Sequence, residues 1–229
     1  MKRFMVLAAM LLAGCMQATP SARAPQPGPR ADFDARVAAE RFVAVVNSVE
    51  PVAEAECRRR APRVNCDYQI VVDNRVDQPP NAFQTVDRNG RPLIAFTIAL
   101  IADVENADEL ALVMGHEAAH HIAGHLDRQR QDASAGAIIF AGVAAIMGGS
   151  ARDVQNMGDL GASVGARTYS KDYEIEADKL GAVIARRAGY DPVHGAAYFT
   201  RMPDPGNRFL GTHPPNARRI EVIRAATQG

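Results

Sequence analysis

The spacing of apolar and polar residues changes along this chain and predicts where helices give way to strands. Between Asp32 and Val49, apolar residues recur every three or four positions and fall on one helical face. Asp32 is the predicted N-cap, and Pro51 is the predicted stop because proline has no N–H to donate within a helix. The pattern therefore predicts a first amphipathic helix over 32–49.

The middle of the chain has the spacing and composition of strands. Three short segments are rich in β-branched and aromatic residues: Tyr68–Val72, Ala82–Val86 and Pro92–Phe96. The stretch Asp87-Arg-Asn-Gly90 between the last two is a strong turn signal. These segments predict a small antiparallel sheet within a mostly helical α+β domain.

Helical spacing returns at Asn106, which can cap a helix whose Glu109 completes a capping box. A further helix is predicted over Ser170–Arg187, and Gly189 ends it. Between them, residues 136–149 (GAIIFAGVAAIMGG) are almost wholly apolar but reach only about two-thirds of a bilayer crossing. Two interpretations of this stretch stay open: a buried helix, or a segment that dips into a membrane.

Composition narrows the class of protein. The chain has 229 residues, 47% of them hydrophobic, which is enough for one well-buried domain and little for two. Its 26 basic and 26 acidic residues balance, so no overall field attracts nucleic acid. We therefore expect no nucleic-acid partner.

The N-terminus predicts export to the cell envelope. Lys2 and Arg3 precede an apolar run, and Ala13-Gly14 stands directly before Cys15, as in a bacterial lipoprotein signal. We predict that Cys15 is lipidated and that the lipid holds the protein on the outer membrane, facing the periplasm. The chain then divides into a signal peptide, a lipidated cysteine with a flexible proline-rich tether, and a folded domain, over 1–14, 15–31 and 32–229.

Two further cysteines, Cys57 and Cys66, lie close together in the chain. Cysteine pairs outside the cytoplasm most often form a disulfide, which we predict here. The alternative, a metal site built on both cysteines, lacks nearby partner ligands. A disulfide that closes so short a loop contributes up to about 3 kcal/mol to stability.

The stretch GHEAAHHIAGH, residues 115–125, contains four of the six histidines. His116 and His120 are four residues apart, so on a helix they point the same way and can bind one ion. Glu117 lies about 100° round the helix from His116, where its carboxylate can act as a general base on a water. This H-E-x-x-H arrangement is typical of a catalytic zinc, which takes two imidazoles and a third protein ligand and keeps an open position.

The remaining histidines are assigned other roles. On a continuous helix His125 lies about 140° from His120, away from the metal, so we predict a structural or solvent-facing residue. His121 is expected beside the site or exposed, and His194 is expected to be structural.

The predicted helix over Ser170–Arg187 offers a third ligand. Glu174, Asp178 and Gly181 share one helical stripe. In this arrangement Glu174 would bind zinc, Asp178 would hydrogen-bond a ligand histidine, and Gly181 would allow a close helix crossing. Glu176 lies about 200° from Glu174 and should face elsewhere. An exposed acidic helix face explains these carboxylates nearly as well, so periodicity alone leaves the third ligand open.

Several segments together resemble a known family. They are Asp108-Glu-Leu110 before the H-E-x-x-H motif, Glu174-Ile-Glu-Ala-Asp178, Ala188-Gly-Tyr-Asp-Pro192 and Thr212-His-Pro214. From about Asp32 onward the chain resembles the gluzincin-type zinc metalloendopeptidases that include HtpX, BepA, the mitochondrial Oma peptidases and the CAAX prenyl proteases. Within this family it is most similar to the small periplasmic lipoproteins.

The resemblance implies a fold, a site and an activity. It implies a gluzincin-type peptidase domain with one zinc ion bound by His116, His120 and Glu174. Glu117 would then be the catalyst, and Asp178 would support the site by holding a ligand histidine. The implied activity is endoproteolysis in the quality control of envelope proteins.

The expected reaction is hydrolysis of peptide bonds in unfolded or misassembled envelope proteins. An edge strand near Asn81 to Val86 would hold the extended peptide substrate by strand addition. His213 fits three roles: it fills the open position of the zinc in a resting form, lines the substrate cleft, or is an ordinary loop residue. The alternative function is a non-catalytic zinc-containing lipoprotein that acts as a chaperone or assembly factor. Its zinc would be structural, and structural zinc sites usually fill all four positions with protein ligands. His213 is the candidate for the fourth ligand.

Overall fold

The protein is described by a computed structural model for residues 34–168, 170–208, 211 and 213–228. The predicted signal peptide, the lipidated Cys15, the tether and the predicted cap Asp32 lie outside the described residues. The described chain is mostly helical and carries one small sheet, as the sequence predicts. The elements are α1 Ala35–Arg60, β1 Gln69–Asp73, β2 Ala82–Val86, β3 Pro92–Thr97, α2 Ile98–Asp103, α3 Ala107–Ile122, α4 His125–Ile146, α5 Ala151–Thr168, α6 Ser170–Arg187, α7 Pro192–Gly195, α8 Tyr198–Arg201 and α9 Asn216–Ala226.

Helix α1 is longer than its sequence pattern predicts. Its N-cap is Asp34 and not Asp32 as predicted: the side chain of Asp34 accepts the N–H groups of residues 36 and 37. The helix then continues through Pro51 to Arg60, so the predicted stop at Pro51 is wrong. Proline removes only the hydrogen bond to the carbonyl of Asn47, and Asn47 is exposed, so water can satisfy that carbonyl. The buried face continues past the proline and stabilises the helix through Val45, Val49, Ala53 and Cys57.

The sheet has the strand order β1-β3-β2 and is mixed rather than wholly antiparallel. Strand β2 pairs antiparallel with β3 across the predicted turn, with Phe83 opposite Ala95. Strand β1 runs parallel to β3, with Ile70 opposite Ile94, so the antiparallel prediction is wrong for this pair. The connection over residues 74–81 is long enough for β2 to lie one strand away from β1, so that β3 fits between them. The buried side chains of β3 then face the core, where Phe96 meets Phe42 edge to face.

Helix α3 runs through the centre of the molecule and packs against α1 and α6. Its buried face includes Leu110, Met114 and Ala118. As predicted, Asn106 caps it by accepting the N–H of Glu109 at 2.9 Å. In the predicted capping box the carboxylate of Glu109 would accept the N–H of Asn106. It accepts the N–H of Glu105 instead, at 2.7 Å.

Helices α4 and α5 form an antiparallel hairpin, and α4 contains most of the apolar stretch 136–149. Several of its large side chains are exposed, including Ile138, Ile139 and Ile146. The interpretation of this stretch as a buried helix is therefore wrong. Within the described residues, no helix has the length and hydropathy required to span a bilayer.

Candidate active site

The site lies where α3 crosses α6, and two glycines set the distance between these helices. A Cβ on Gly115 would lie 2.6 Å from the carbonyl oxygen of Gly181, and one on Gly181 would lie 2.7 Å from the amide nitrogen of His116. The two backbones are therefore in direct contact at the crossing. This close approach brings residues of α6 within reach of the histidines of α3.

Three side chains converge above the crossing. The Nε2 atoms of His116 and His120 are 3.0 Å apart. The carboxylate oxygens of Glu174 lie 3.5 Å from Nε2 of His116 and 3.3 Å from Nε2 of His120. The three ligand atoms all lie within 4.8 Å of one another, so one ion can reach all of them. Two imidazole nitrogens and one carboxylate are a donor set that suits zinc.

The charges around these residues favour a cation. Burial alone lowers the pKa of His116, but hydrogen bonds to Asp178 and Glu174 outweigh it and raise that pKa to about 10. Burial raises the pKa of Glu174, but hydrogen bonds from His116, His120 and His213 hold it well below its usual value. The site therefore keeps a buried carboxylate charged beside the imidazoles, which fits a metal ion.

His116 is oriented by a carboxylate and an arginine. Its Nδ1–H donates to Asp178 at 2.9 Å, which leaves Nε2 as the ligand atom. Arg219 donates to both carboxylate oxygens of Asp178, at 2.8 and 2.7 Å. Arg219 could not be predicted from the sequence, because nothing in the local pattern separates it from Arg218. Packing does, since Arg219 is buried and Arg218 is exposed.

His120 is oriented by His125. The two Nδ1 atoms are 2.9 Å apart, and Nε2 of His125 lies 3.1 Å from Glu176. Burial lowers the pKa of His125 to about 4, so its ring is neutral. A neutral ring that donates from Nε2 to Glu176 must accept at Nδ1, so Nδ1–H of His120 is the donor. Nε2 of His120 is thus left as its ligand atom.

His125 is buried and its ring stacks on Tyr173, which agrees with the structural alternative predicted for it and not with the solvent-facing one. The prediction that it lies away from His120 is wrong. The prediction assumed a continuous helix, but α3 ends at Ile122 and Gly124 adopts a left-handed conformation, with φ of 66°. His125 begins α4 in a new direction and therefore turns back towards His120.

The other predicted residues lie where their elements place them. His121 donates through Nε2 to the carbonyl of Asn65 at 2.8 Å, and its Nδ1 lies 3.4 Å from the side chain of Gln84. His194 contacts Asp108 through Nδ1 at 2.8 Å and joins α7 to α3, which is a structural contact. The sulfurs of Cys57 and Cys66 are bonded and fasten the end of α1 to the segment before β1.

A cleft of about 370 Å³ opens onto the three ligand atoms. Glu117 lines it and is partly buried, and residues 80–84, which include the first part of β2, form one wall. His213 stands at the cleft with Nδ1 3.0 Å from a carboxylate oxygen of Glu174. The cleft therefore gathers a cluster that can hold a metal ion, an additional carboxylate and a strand edge.

Comparison with known proteins agrees with this geometry. Residues 41–227 match the family model described as Peptidase family M48. The chain is 29% identical over 174 residues to a putative beta-barrel assembly-enhancing protease of Vibrio cholerae, covering 66% of this chain and 34% of the relative. It is 30% identical over 165 residues to the mitochondrial metalloendopeptidase OMA1 of Saccharomyces cerevisiae, covering 67% of this chain and 45% of the relative. It is 29% identical over 157 residues to the beta-barrel assembly-enhancing protease of Escherichia coli, covering 57% and 30%. The chain thus spans less than half the length of these relatives.

Proposed function

Because the chain belongs to peptidase family M48, we propose that it is a zinc-dependent endopeptidase whose ion is bound by His116, His120 and Glu174. The observation that carries this proposal is the convergence of the three ligand atoms within 4.8 Å at the base of a cleft. The names of the relatives, which include proteases and a metalloendopeptidase, support the same activity.

Zinc, when bound, supplies Lewis acidity towards water and towards the carbonyl of the scissile peptide bond. Glu117 is the general base in this proposal: it takes a proton from the attacking water and returns it to the leaving amine. Asp178 and Arg219 keep the proton of His116 on Nδ1, and His125 does the same for His120. Each imidazole is thereby presented to the ion through Nε2.

We propose that His213 belongs to the substrate side of the site. Its contact with Glu174 supports a role in the cleft and makes it a candidate to fill the open position of the zinc in a resting form. About half of its side chain is exposed, so it can move aside when a substrate enters.

The proposed substrates are unfolded or misassembled proteins of the cell envelope. Strand β2 is at the edge of the described sheet and lines the cleft, so an extended peptide can add to it by main-chain hydrogen bonds. A folded protein offers few such segments, which gives a preference for unfolded chains. The disulfide between Cys57 and Cys66 is consistent with an oxidising compartment. The periplasm is such a compartment, and the proposed lipid on Cys15 would hold the protein there, on the outer membrane.

The test compares the wild type with Glu117→Gln on an unfolded polypeptide in the presence of zinc. We expect cleavage to fall by about 100-fold or more while the zinc content per chain stays the same, because only the base is lost. Unchanged cleavage in Glu117→Gln would remove the proposed mechanism. Absence of cleavage by the wild type, with zinc firmly bound, would favour a non-catalytic chaperone or assembly factor.

The third ligand is tested separately by metal analysis of His116→Ala and Glu174→Ala. Both variants should lose zinc, and His194→Ala, a matched histidine variant outside the site, should retain it. Loss of zinc in the first variant with full retention in the second would place the third ligand elsewhere.

A further inference from the structure

The hairpin of α4 and α5 is held together by glycine. A Cβ on Gly136 would collide with the carbonyl of Gly161, and one on Gly165 would collide with the carbonyl of Asp132. The two helices therefore touch backbone to backbone and leave no room for large side chains between them. Close contact of this kind is common between helices in membranes.

Several large apolar side chains at the end of α4 and just after it are on the outside of the hairpin. Ile139 is 61% exposed, Ile146 is 88% exposed and Met147 is 81% exposed. In a hairpin that is surrounded by water, such side chains would lie between the helices, because their burial there is favourable. Their outward orientation leaves them available to contact a lipid surface or another protein.

The two sides of the hairpin differ in charge and polarity. No charged residue occurs between Asp132 and Arg152. The outer face of α5, in contrast, exposes polar side chains at Gln155, Asn156 and Asp159. The hairpin therefore has an apolar side, formed by residues 138–147, and a more polar side on α5, where Leu160 is also exposed.

We propose that the α4 side of this hairpin docks on a lipid surface, with Ile139, Ile146 and Met147 inserted among the acyl chains. An apolar helical face with a polar opposite face lies in the plane of the membrane interface. Arg152, exposed directly after the apolar stretch, is placed to meet lipid phosphates. No described helix has the length and hydropathy to span the bilayer, so the docking is shallow.

A second protein copy fits this face less well. Between residues 138 and 147, the exposed large side chains are Ile138, Ile139, Val143, Ile146 and Met147, and this stretch contains no tyrosine and no arginine. Specific protein interfaces are enriched in aromatic residues and arginine, whereas lipid requires only apolar surface. Because Leu126 and Gln129 at the base of α4 line the cleft, docking would hold the candidate active site near the membrane surface.

The chain has no tryptophan, so a single introduced tryptophan reports on its own position. The full-length Met147→Trp variant is mixed with phosphatidylcholine vesicles that contain brominated acyl chains. The matched control is Val76→Trp, which is 84% exposed but lies far from the hairpin in the chain. We expect emission from Met147→Trp to shift to shorter wavelength and to be quenched, while emission from Val76→Trp is not. Adding Ile146→Asp to the Met147→Trp variant should weaken vesicle binding of the hairpin by about tenfold or more.

Three outcomes would overturn the proposal. One is the absence of quenching at Met147→Trp, and another is equal quenching at both positions. The third is a wavelength shift that grows with protein concentration and needs no vesicles, which would assign the face to a second copy of the chain. The readout follows the hairpin itself, so it does not depend on how residues 1–33 interact with lipid. It also requires neither zinc nor cleavage and is therefore independent of the proposed peptidase activity.

Discussion

Both candidate ligand histidines are held at Nδ1, but by different partners. His116 donates to Asp178, a carboxylate fully buried beside Arg219. His120 donates to another imidazole, His125, which is itself anchored to a partly exposed carboxylate. Partners of this kind raise the basicity of a ligand and fix its orientation, so their loss weakens metal binding without removing a ligand.

The first prediction concerns His125. His125→Phe keeps a ring to stack on Tyr173 but removes the acceptor for His120. We expect zinc affinity to fall by about 10- to 100-fold, measured by competition with a chromophoric chelator, with little change in the midpoint of unfolding. His194→Phe is the control and should bind zinc as the wild type does. An unchanged affinity in His125→Phe would mean that the contact between the two rings does not orient His120.

At this scale, local spacing predicts what one helix positions and little more. His116, Glu117 and His120 follow from the helical repeat of α3 alone. The contact of His125 depends on the break at Gly124, and a glycine inside an apolar helical pattern is not by itself a stop signal. The role of Arg219 depends on the packing of α9 against α6, which no short-range pattern reports.

At the scale of the elements, the crossing of α3 and α6 fixes the site. Sequence spacing predicts a close approach at Gly181, and its partner Gly115 completes it. The end of α1 and the direction of β1 are less predictable. Pro51 is tolerated because the surrounding packing outweighs one lost hydrogen bond, and β1 pairs in parallel with a strand that comes later in the chain.

The second prediction tests this crossing. In Gly181→Ala the new methyl group would meet the backbone at His116, so the helices must separate. We expect a loss of about 1–3 kcal/mol in unfolding free energy, together with weaker zinc binding. The control is Gly142→Ala on α4, where nothing lies within 4 Å of the added carbon. That variant should be neutral or more stable by up to about 1 kcal/mol, measured by urea denaturation. A Gly181→Ala protein as stable as the wild type would show that the crossing can relax.

The third prediction concerns the disulfide between Cys57 and Cys66. Reduction should lower the free energy of unfolding by about 3 kcal/mol, because the bond restricts the unfolded chain. The double variant Cys57→Ala/Cys66→Ala should not respond to reductant. If the wild type is equally stable with and without reductant, the bond does not stabilise the fold.

At the scale of the whole molecule, the cleft is assembled from segments far apart in the chain. One wall comes from residues 80–84, the base from α3 and α6, and His213 reaches it from the segment before α9. An ion at the base would join α3 to α6 and stabilise this assembly, because an unfolded chain does not present the three ligands together.

The fourth prediction follows from this linkage. A thousandfold excess of free zinc over its dissociation constant should stabilise the fold by about 4 kcal/mol, and a chelator should remove the effect. Thermal unfolding should therefore respond to the chelator in the wild type and in Glu117→Gln but not in His116→Ala. The stabilisation should also weaken as the pH falls, because imidazole must be deprotonated to bind metal. A melting temperature that ignores the chelator in the wild type would argue against a buried ion.

The left-handed turn at Gly124 also limits how the gene can vary. One added or deleted codon between His120 and His125 would rotate the start of α4 by about 100° and carry the second ring away from the first. Loops usually tolerate such length changes, but this one should not. Ala123 and Gly124 act as a spacer of fixed length between α3 and α4. In an insertion scan across the domain, an insertion here should abolish zinc binding although the chain still folds.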